Sequence, residues 1–572
     1  MPVAAARKPL NLLYGVDENP PVAVTVASAL QHVSLISIFL LFPLLVCREA
    51  QLSADGTLDV LGMSMLVMGA GAILPALTRG PIGSGYLCPS IFTVAYLGPS
   101  LLALKTGGLS LVFGMTVFAG CVESALSRSL RHLRAFFPPE IAGLVVVLLG
   151  VTIGVIGIRY ILGADPRTGA SSRELAVAAV SLGTMVALNV WSGGLLRMFC
   201  ALLGMIAGYA AAALLGVLTA SDMHRIMEVP LVSVPSIGHL AWSFDPGLIG
   251  AFAVGAVAAC LKTIGNVTTC QKMNDAGWVR PDLRSIGKGV LADGLGTVTA
   301  GLLGTVGINS SPSAVGLAGA TGVTSRRVAY AIGAIFFALA FLPKVAGLLS
   351  IVPRPVMGAA LVFSACFVLI NGIQIITSRL LDARRTFVVG LGFLSGIAVD
   401  LLPGYFANVP AQFQPLVSSS LVVGMLAAVL LNFAFRLGVR RVESLTVALG
   451  PTDHVAIEQF MEKQGAAWGA RRDVVERAKF NLAQSIEIIM EGCDPQGPLE
   501  IRASFDEFKL DVRVSYEGMP LALPDQRPTN EEIMESEDGH RRLAGFMLRR
   551  YADRVRASFQ AGRSTILFHF DH

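Results

Sequence analysis

The sequence predicts a polytopic, all-α membrane protein with a soluble α/β sandwich at its C-terminal end. Three observations predict it. Of the 572 residues, 53% are hydrophobic and 15% charged, whereas soluble domains carry roughly 25% charged residues. Apolar runs such as "VAVTVASALQHVSLISIFLLFPLLV" and "LVSSSLVVGMLAAVLLNFAF" recur, each able to cross a ~30 Å hydrocarbon core as a helix. Beyond Arg441 the character changes: residues 443–572 are rich in charge and contain no such run.

Fourteen apolar segments are expected as helices, near 22–46, 58–78, 86–99, 108–126, 139–158, 174–191, 196–217, 246–265, 287–304, 312–321, 328–343, 354–371, 386–402 and 418–435. The first lacks a small-residue cleavage site at its end and reads as a retained span. Lys and Arg concentrate after the even-numbered segments, in "SRSLRHLR", "RPDLRSIGK", "SRR", "DARR" and "RLGVRR". By the positive-inside rule both ends of the chain then face the cytoplasm, in a cell inner (plasma) membrane. The eight cysteines are scattered, mostly in apolar runs and without a CxxC pair. They read as small core residues, not a disulfide or metal framework. A net charge of +5 with no basic stripe interleaved with aromatics speaks against nucleic acid as a partner.

The third and tenth segments are unusual. "GSGYLCPSIFTVAYLG" and "VGINSSPSAVGLAGATG" are short, and each has a Pro-Ser pair behind small residues. Proline is well placed in the first turn of a helix, where its missing N–H costs nothing. One such segment is third in each set of seven, a pattern that predicts two inverted seven-span repeats with half-helices at spans 3 and 10. A substrate site is then expected between the two half-helix N-termini. The same register sets Gln31 of "SALQHVSL" against Lys262 of "AACLKTIGN". A lysine inside an apolar span costs at least ~2.5–3.5 kcal/mol and calls for a partner or a task.

In residues 443–572, "RRDVVERAKFNLAQSIEIIME" has helical periodicity and "LEIRASFDEFKLDVRVSYEG" alternates like a hairpin. "HRRLAGFMLRRYADRV" reads as a helix, "STILFHF" as a final strand, and acidic Asn530–His540 as a loop. The expected division is therefore a transporter-like domain at 1–442 and a cytoplasmic domain at 443–572.

Five motifs carry a family resemblance: "ALQHV" (Ala29–Val33), "FFPPEIAG" (Phe136–Gly143), "ADGLGT" (Ala292–Thr297), "VGLAGATGVTSR" (Val315–Arg326) and "VPRPVMGAALV" (Val352–Val362). Together they resemble the nucleobase–ascorbate transporters, also called nucleobase:cation symporters. The resemblance implies fourteen spans divided into core and gate domains, with short strands ahead of half-helices 3 and 10. It also implies elevator-like carriage of xanthine, urate or uracil, coupling to H⁺ or Na⁺ with no other cofactor, no enzymatic activity, and homodimerisation through the gate domain.

The departures are as informative. On half-helix 10 the family's Gln/Glu and Asn are replaced by Ser313 and Ala314, while Gly316 and Thr321 agree. On span 8 the family's substrate-binding glutamate is replaced by Lys262, with Gly265 retained. The resemblance makes Lys262, Ser313, Ala314, Phe92, Gly265, Gln31 and His32 candidate substrate-binding residues. His32 also reads as a hydrogen-bonding residue between spans, Phe92 as a core residue, and Glu140 as a favourable charge at a helix N-terminus. Asp293 is the candidate ion-coupling group or the charge partner of Lys262. A lysine beside two helix N-termini makes a positive site, so an anion carrier using Lys262, or a non-transporting sensor, stands as the alternative.

The tail resembles histidine-kinase-type ATPases, with Asn481, Ser485 and Tyr516 where relatives carry nucleotide-site acids and an asparagine, and only Gly545 in its lid stretch. The resemblance implies a degenerate fold that meets a cytoplasmic regulatory protein. An anti-sigma-antagonist-type fold is the alternative.

Overall fold

The computed structural model describes residues 8–571 except 11, 130–137, 164–168, 219–226, 228, 279–280, 378–380, 382, 411–416, 418, 436–440, 448–452, 469, 471, 494, 506–508, 522, 525, 530–538 and 561. Most of "SRSLRHLR", Phe136 and Phe137 of "FFPPEIAG", and the acidic loop up to 538 lie outside the described residues. The chain divides into two compact units, residues 1–432 and 433–572.

The first unit is helical. Among the described residues, seven helices are long and apolar enough to cross a membrane, and a pair bent by 83°, Arg326–Ala340 and Pro343–Ser350, makes an eighth. Cys200–Leu214 and Ser420–Phe435 are shorter apolar helices. This is a multi-pass membrane protein. Helix α1 (Val22–Ile36) opens the unit. Strand β1 (Ser90–Phe92) leads into helix α2 (Val94–Leu126), and helix α3 (Pro139–Leu162) follows. Later come α4 (Ile249–Asn274), α5 (Leu283–Leu302), strand β2 (Ile308–Ser310), α6 (Pro312–Thr321) and α7 (Ala383–Leu401).

Two expected helices are corrected. Segment 86–99 is not one helix: its first part is extended and contains β1. Its helical part continues to a break at Gly107 and Gly108, and past it into the fourth segment. Gly108 has φ 72°, a conformation that a side chain disfavours and glycine adopts freely. Segment 328–343 likewise ends in the 83° bend near Phe341. The tenth segment, by contrast, coincides with α6, which begins at Pro312 and ends at Gly322 in the left-handed conformation.

Helices α2 and α5 approach closely through glycine. A Cβ on Gly120 would lie 2.7 Å from the Gly294 carbonyl, and one on Gly294 would lie 2.7 Å from the Ser124 amide. This approach brings Glu123, next to Ser124, and Asp293, next to Gly294, into one buried layer. A clasp by the residues ahead of α1 completes the unit. Tyr14 N–H donates to Gly322 O at 3.0 Å, Thr324 N–H donates to Tyr14 O at 2.9 Å, and Asp17 pairs with Arg326.

The second unit has a five-stranded antiparallel sheet in the order β3-β4-β5-β7-β6. Its elements are β3 (Arg441–Val447), α8 (Asp453–Trp468), α9 (Arg472–Gly492), β4 (Leu499–Phe505), β5 (Lys509–Glu517), α10 (Gly539–Tyr551), β6 (Arg554–Gln560) and β7 (Arg563–Asp571). Alternate residues of β4 and β7 are buried and share a core with Leu482, Ile486 and Ile489 of α9. The helix read over "HRRLAGFMLRRYADRV" stops at Tyr551, because the chain then turns into β6.

Candidate functional site

Strands β1 and β2 pair antiparallel, with Ser90 opposite Ser310, Ile91 opposite Asn309 and Phe92 opposite Ile308. The pairing satisfies backbone groups that would otherwise be stranded in an apolar interior. Each strand delivers the chain to a helix N-terminus. Thr93 caps α2 by accepting from Ala95 N–H at 3.4 Å, and Ser311 caps α6 by accepting from Ala314 N–H at 3.2 Å. Free N–H groups and the helix dipole make such ends favourable places for negative charge.

Asp293 lies beside the paired strands. Ser90 Oγ donates to its Oδ1 at 2.5 Å, while Thr263 Oγ1 and Ser310 N–H donate to its Oδ2 at 2.6 and 3.1 Å. The carboxylate is buried with its hydrogen-bonding capacity well used. The ion pair offered as one expectation for Asp293 and Lys262 is not formed: among the described residues no Lys, Arg or His nitrogen comes within 4.0 Å of Asp293.

Lys262 is half-buried on α4, and among the described residues its Nζ makes neither a hydrogen bond nor an ion pair. One turn along, Gly265 is exposed, as are Ser313 and Gly316 on α6. A Cβ added at Gly265 or Gly316 would meet nothing within 4 Å. Lys262, Gly265, Ser313 and Gly316 therefore lie on open faces of two helices that pack together, Met273 of α4 meeting Gly319 of α6.

The other candidates are placed differently. The Ala314 N–H is taken by the Ser311 cap, and Ser313 Oγ lies 2.9 Å from Ser311 Oγ. Phe92 is fully buried in the core and absent from the open faces. His32 is buried, with Nδ1 2.8 Å from Ser28 O and Nε2 3.3 Å from Ala314 O. A neutral ring has one N–H to donate between them, so His32 ties α1 to α6. Gln31 beside it is half-buried.

Sequence reasoning missed several residues here. Asn309 Nδ2 lies 2.8 Å from Thr263 Oγ1, 3.0 Å from Ala259 O and 3.2 Å from Glu123 Oε1. Tyr96 O–H donates to Glu123 Oε2 at 2.8 Å. The legible signal was Glu123 itself, an acid within the apolar run "FGMTVFAGCVESAL". Glu140, expected only at a helix N-terminus, is in the first turn of α3 and also pairs with Arg385 of α7 at 3.2 Å, both side chains being buried. A cavity of about 940 Å³ lies elsewhere, lined by Arg48, Asp59, Glu174 and Arg354 among others and by none of the candidate residues.

The Xan_ur_permease model, described as Permease family, matches residues 23–405. The chain belongs to this permease family. Among curated relatives, the xanthine permease XanP of Escherichia coli K12 is 28% identical over 442 residues, covering 74% of this chain and 95% of that one. The uric acid permease PucJ of Bacillus subtilis is 27% identical over 418 residues, covering 72% and 92%. The fold resembles that of the murine anion transporter Slc26a9 in its inward-facing state, with a TM-score of 0.50, 12% identity and coverage of 76% of this chain and 72% of that chain. This permease thus shares a transporter fold, and Thr263, next to Lys262, meets Ser310 just ahead of α6 at 3.2 Å.

In the second unit, Asn481, Ser485 and Tyr516 are all buried. Ser485 Oγ donates to Leu482 O at 2.9 Å, Asn481 Nδ2 to Arg477 O at 3.2 Å and Tyr516 O–H to Met519 O at 2.8 Å. These donors serve local backbone, while Asn481 Oδ1 is buried with no hydrogen-bond partner among the described residues.

Proposed function

We propose that this permease is a secondary transporter of purine or pyrimidine nucleobases of the xanthine, urate or uracil type, and not an enzyme. The observation that carries the reading is the family match over residues 23–405, joined to curated relatives that are xanthine and uric acid permeases. The finer reading is fourteen spans in two inverted repeats, with core and gate domains and elevator-like movement. It places the protein in the inner membrane as a homodimer, with both ends cytoplasmic and H⁺ or Na⁺ as the coupled ion. The paired strands and their two capped helices support it, since they set two N-termini against one buried layer.

Substrate is held on the open faces by Lys262, Gly265 and Ser313, with Gln31, His32, Ala314 and Phe92 shaping the surroundings and Asp293 holding the strands in place. Residues 443–572 serve as a degenerate ATPase-like domain for a cytoplasmic regulatory partner, with no nucleic acid involved. The buried Asn481, Ser485 and Tyr516 favour that over nucleotide hydrolysis.

A second reading rests on Lys262, whose ammonium has no carboxylate within 4.0 Å among the described residues. Such a cation beside a helix N-terminus suits an anion, either an ionised base or an unrelated organic or inorganic anion.

The test is a ligand-induced thermal-shift panel on the full-length protein, setting xanthine, urate and uracil against simple anions. A ligand at 100 times its Kd adds roughly 2.7 kcal/mol of stability. Stabilisation by a nucleobase supports the first reading. Response to simple anions alone replaces it with the second.

A further inference from the structure

Glu123 is fully buried on α2, and among the described residues no Lys, Arg or His nitrogen lies within 4.0 Å of it. Tyr96 O–H donates to Oε2, but among the described residues Oε1 meets only the shared amide of Asn309 at 3.2 Å. That amide nitrogen also faces Thr263 Oγ1 at 2.8 Å, Ala259 O at 3.0 Å and Asp293 Oδ2 at 3.4 Å. A primary amide has two N–H groups, so four oxygens compete for two hydrogens. Thr263 and Ala259 are nearest, and Asp293 has three other donors. Glu123 Oε1 is the oxygen left short.

The amide cannot turn to relieve this: its Oδ1 is buried with no hydrogen-bond partner among the described residues, and a turned amide would set that oxygen 3.0 Å from Ala259 O. The amide is thus crowded with acceptors on one side and lacks a donor on the other. A hydrogen on Glu123 resolves the shortage: the acid no longer needs a donor at Oε1, and Asn309 Nδ2 keeps Thr263 Oγ1 and Ala259 O as its two acceptors. Leaving the carboxylate charged and short of donors in an apolar interior is the costly alternative.

We propose that Glu123, Asn309 and Tyr96 form a proton-binding site, with Glu123 as the group that carries the proton. This rests on the transport reading and names its coupled ion. The titratable groups around Glu123 are Tyr96 on its own helix, Cys260 and Lys262 on α4, and Asp293 on α5. With Lys262 and Asp293 ionised and Glu123 protonated, these groups carry no net charge. Release of the proton to water leaves one negative charge, which repels an anionic substrate from Lys262. Proton and anion then bind together and leave together.

Two measurements test it on the full-length protein. Infrared spectra recorded in H₂O and D₂O require no substrate. Wild type is expected to show the carbonyl stretch of an un-ionised carboxyl at neutral pH, and Glu123→Gln to lack it. The same band in both proteins, or none in wild type, overturns the proposal. Should Glu123→Gln fail to fold, Glu123→Asp must keep a displaced band. The second measurement is xanthine uptake into proteoliposomes. An inward gradient of one pH unit supports about tenfold accumulation at one proton per substrate. Glu123→Gln is expected to equilibrate xanthine without accumulating it; accumulation by that variant overturns the proposal. Wild type that carries no xanthine refutes the nucleobase reading alone, and the infrared band still decides the proton site.

Discussion

Ser90 Oγ lies 2.5 Å from Asp293 Oδ1, binding strand β1 to helix α5 across 203 positions of sequence. Ser310 reaches the other oxygen of the same carboxylate from β2, so one acid holds both strands.

Ser90→Ala removes a hydrogen bond to a buried carboxylate, a change that costs about 1.5–3 kcal/mol. The thermal midpoint of the detergent-purified protein should fall, and Ser90→Thr, which keeps a hydroxyl, should recover part of the loss.

Lys262→Ala removes the positive group from the open face of α4. Binding of urate or another anionic ligand is expected to weaken at least about tenfold, or 1.4 kcal/mol, read from the ligand dependence of the thermal midpoint. Undiminished affinity would assign Lys262 to structure alone.

The buried pair Glu140–Arg385 joins α3 to α7. Removing one partner of a buried pair typically costs 3–5 kcal/mol, roughly the result expected for Glu140→Ala, whereas an apolar replacement of both is often neutral. Thermal unfolding of Glu140→Leu/Arg385→Met should therefore lie nearer wild type than either single variant.

The second unit has its own core, with Leu482 fully buried beneath the sheet. Leu482→Ala should lower its stability by about 2–5 kcal/mol. Mg-ATP should leave the unfolding of the full chain unmoved, since Asn481, Ser485 and Tyr516 are closed inside that core; a clear ATP-induced shift would restore the nucleotide reading.

Lys479 lies between Glu458, Glu462 and Glu476 at 3.4, 2.9 and 3.4 Å. The Glu462 hydrogen bond, opposed by partial burial, holds its ammonium above the ordinary lysine range. A raised folded value stabilises fully below the unfolded lysine pKa of about 10.4 and is lost as pH rises through the folded value. Unfolding followed into the alkaline range should show a falling midpoint that Lys479→Met flattens.

Much of this was readable in the sequence. The Pro-Ser pair marked α6 to its first residue because proline at a first turn is a local signal. Hydropathy marked the apolar runs and began the fourth segment at 108, at the Gly107–Gly108 break, but ended the third at 99, short of that break, and missed the extended backbone at its start. Lys262 stood out as a charge within an apolar run, and Asp293 through the "ADGLGT" motif of the family resemblance. Asn309 did not, because a small polar residue in "VGINSSPS" looks like loop until the strands pair across 218 positions, from Ile91 to Asn309. In the tail, β6 was hidden because its exposed, arginine-bearing "RVRASFQ" continues the composition of the preceding helix.

The clasp between Tyr14 and the Gly322–Thr324 turn gives α6 a handle at its C-terminal end, opposite the end that follows β2. A nanobody raised against Lys8–Glu18 grips a segment hydrogen-bonded directly to the end of α6. Any displacement of that helix must drag the bound nanobody with it or break the clasp. Such a reagent would serve as both fiducial and brake, reporting where α6 stands and arresting it there.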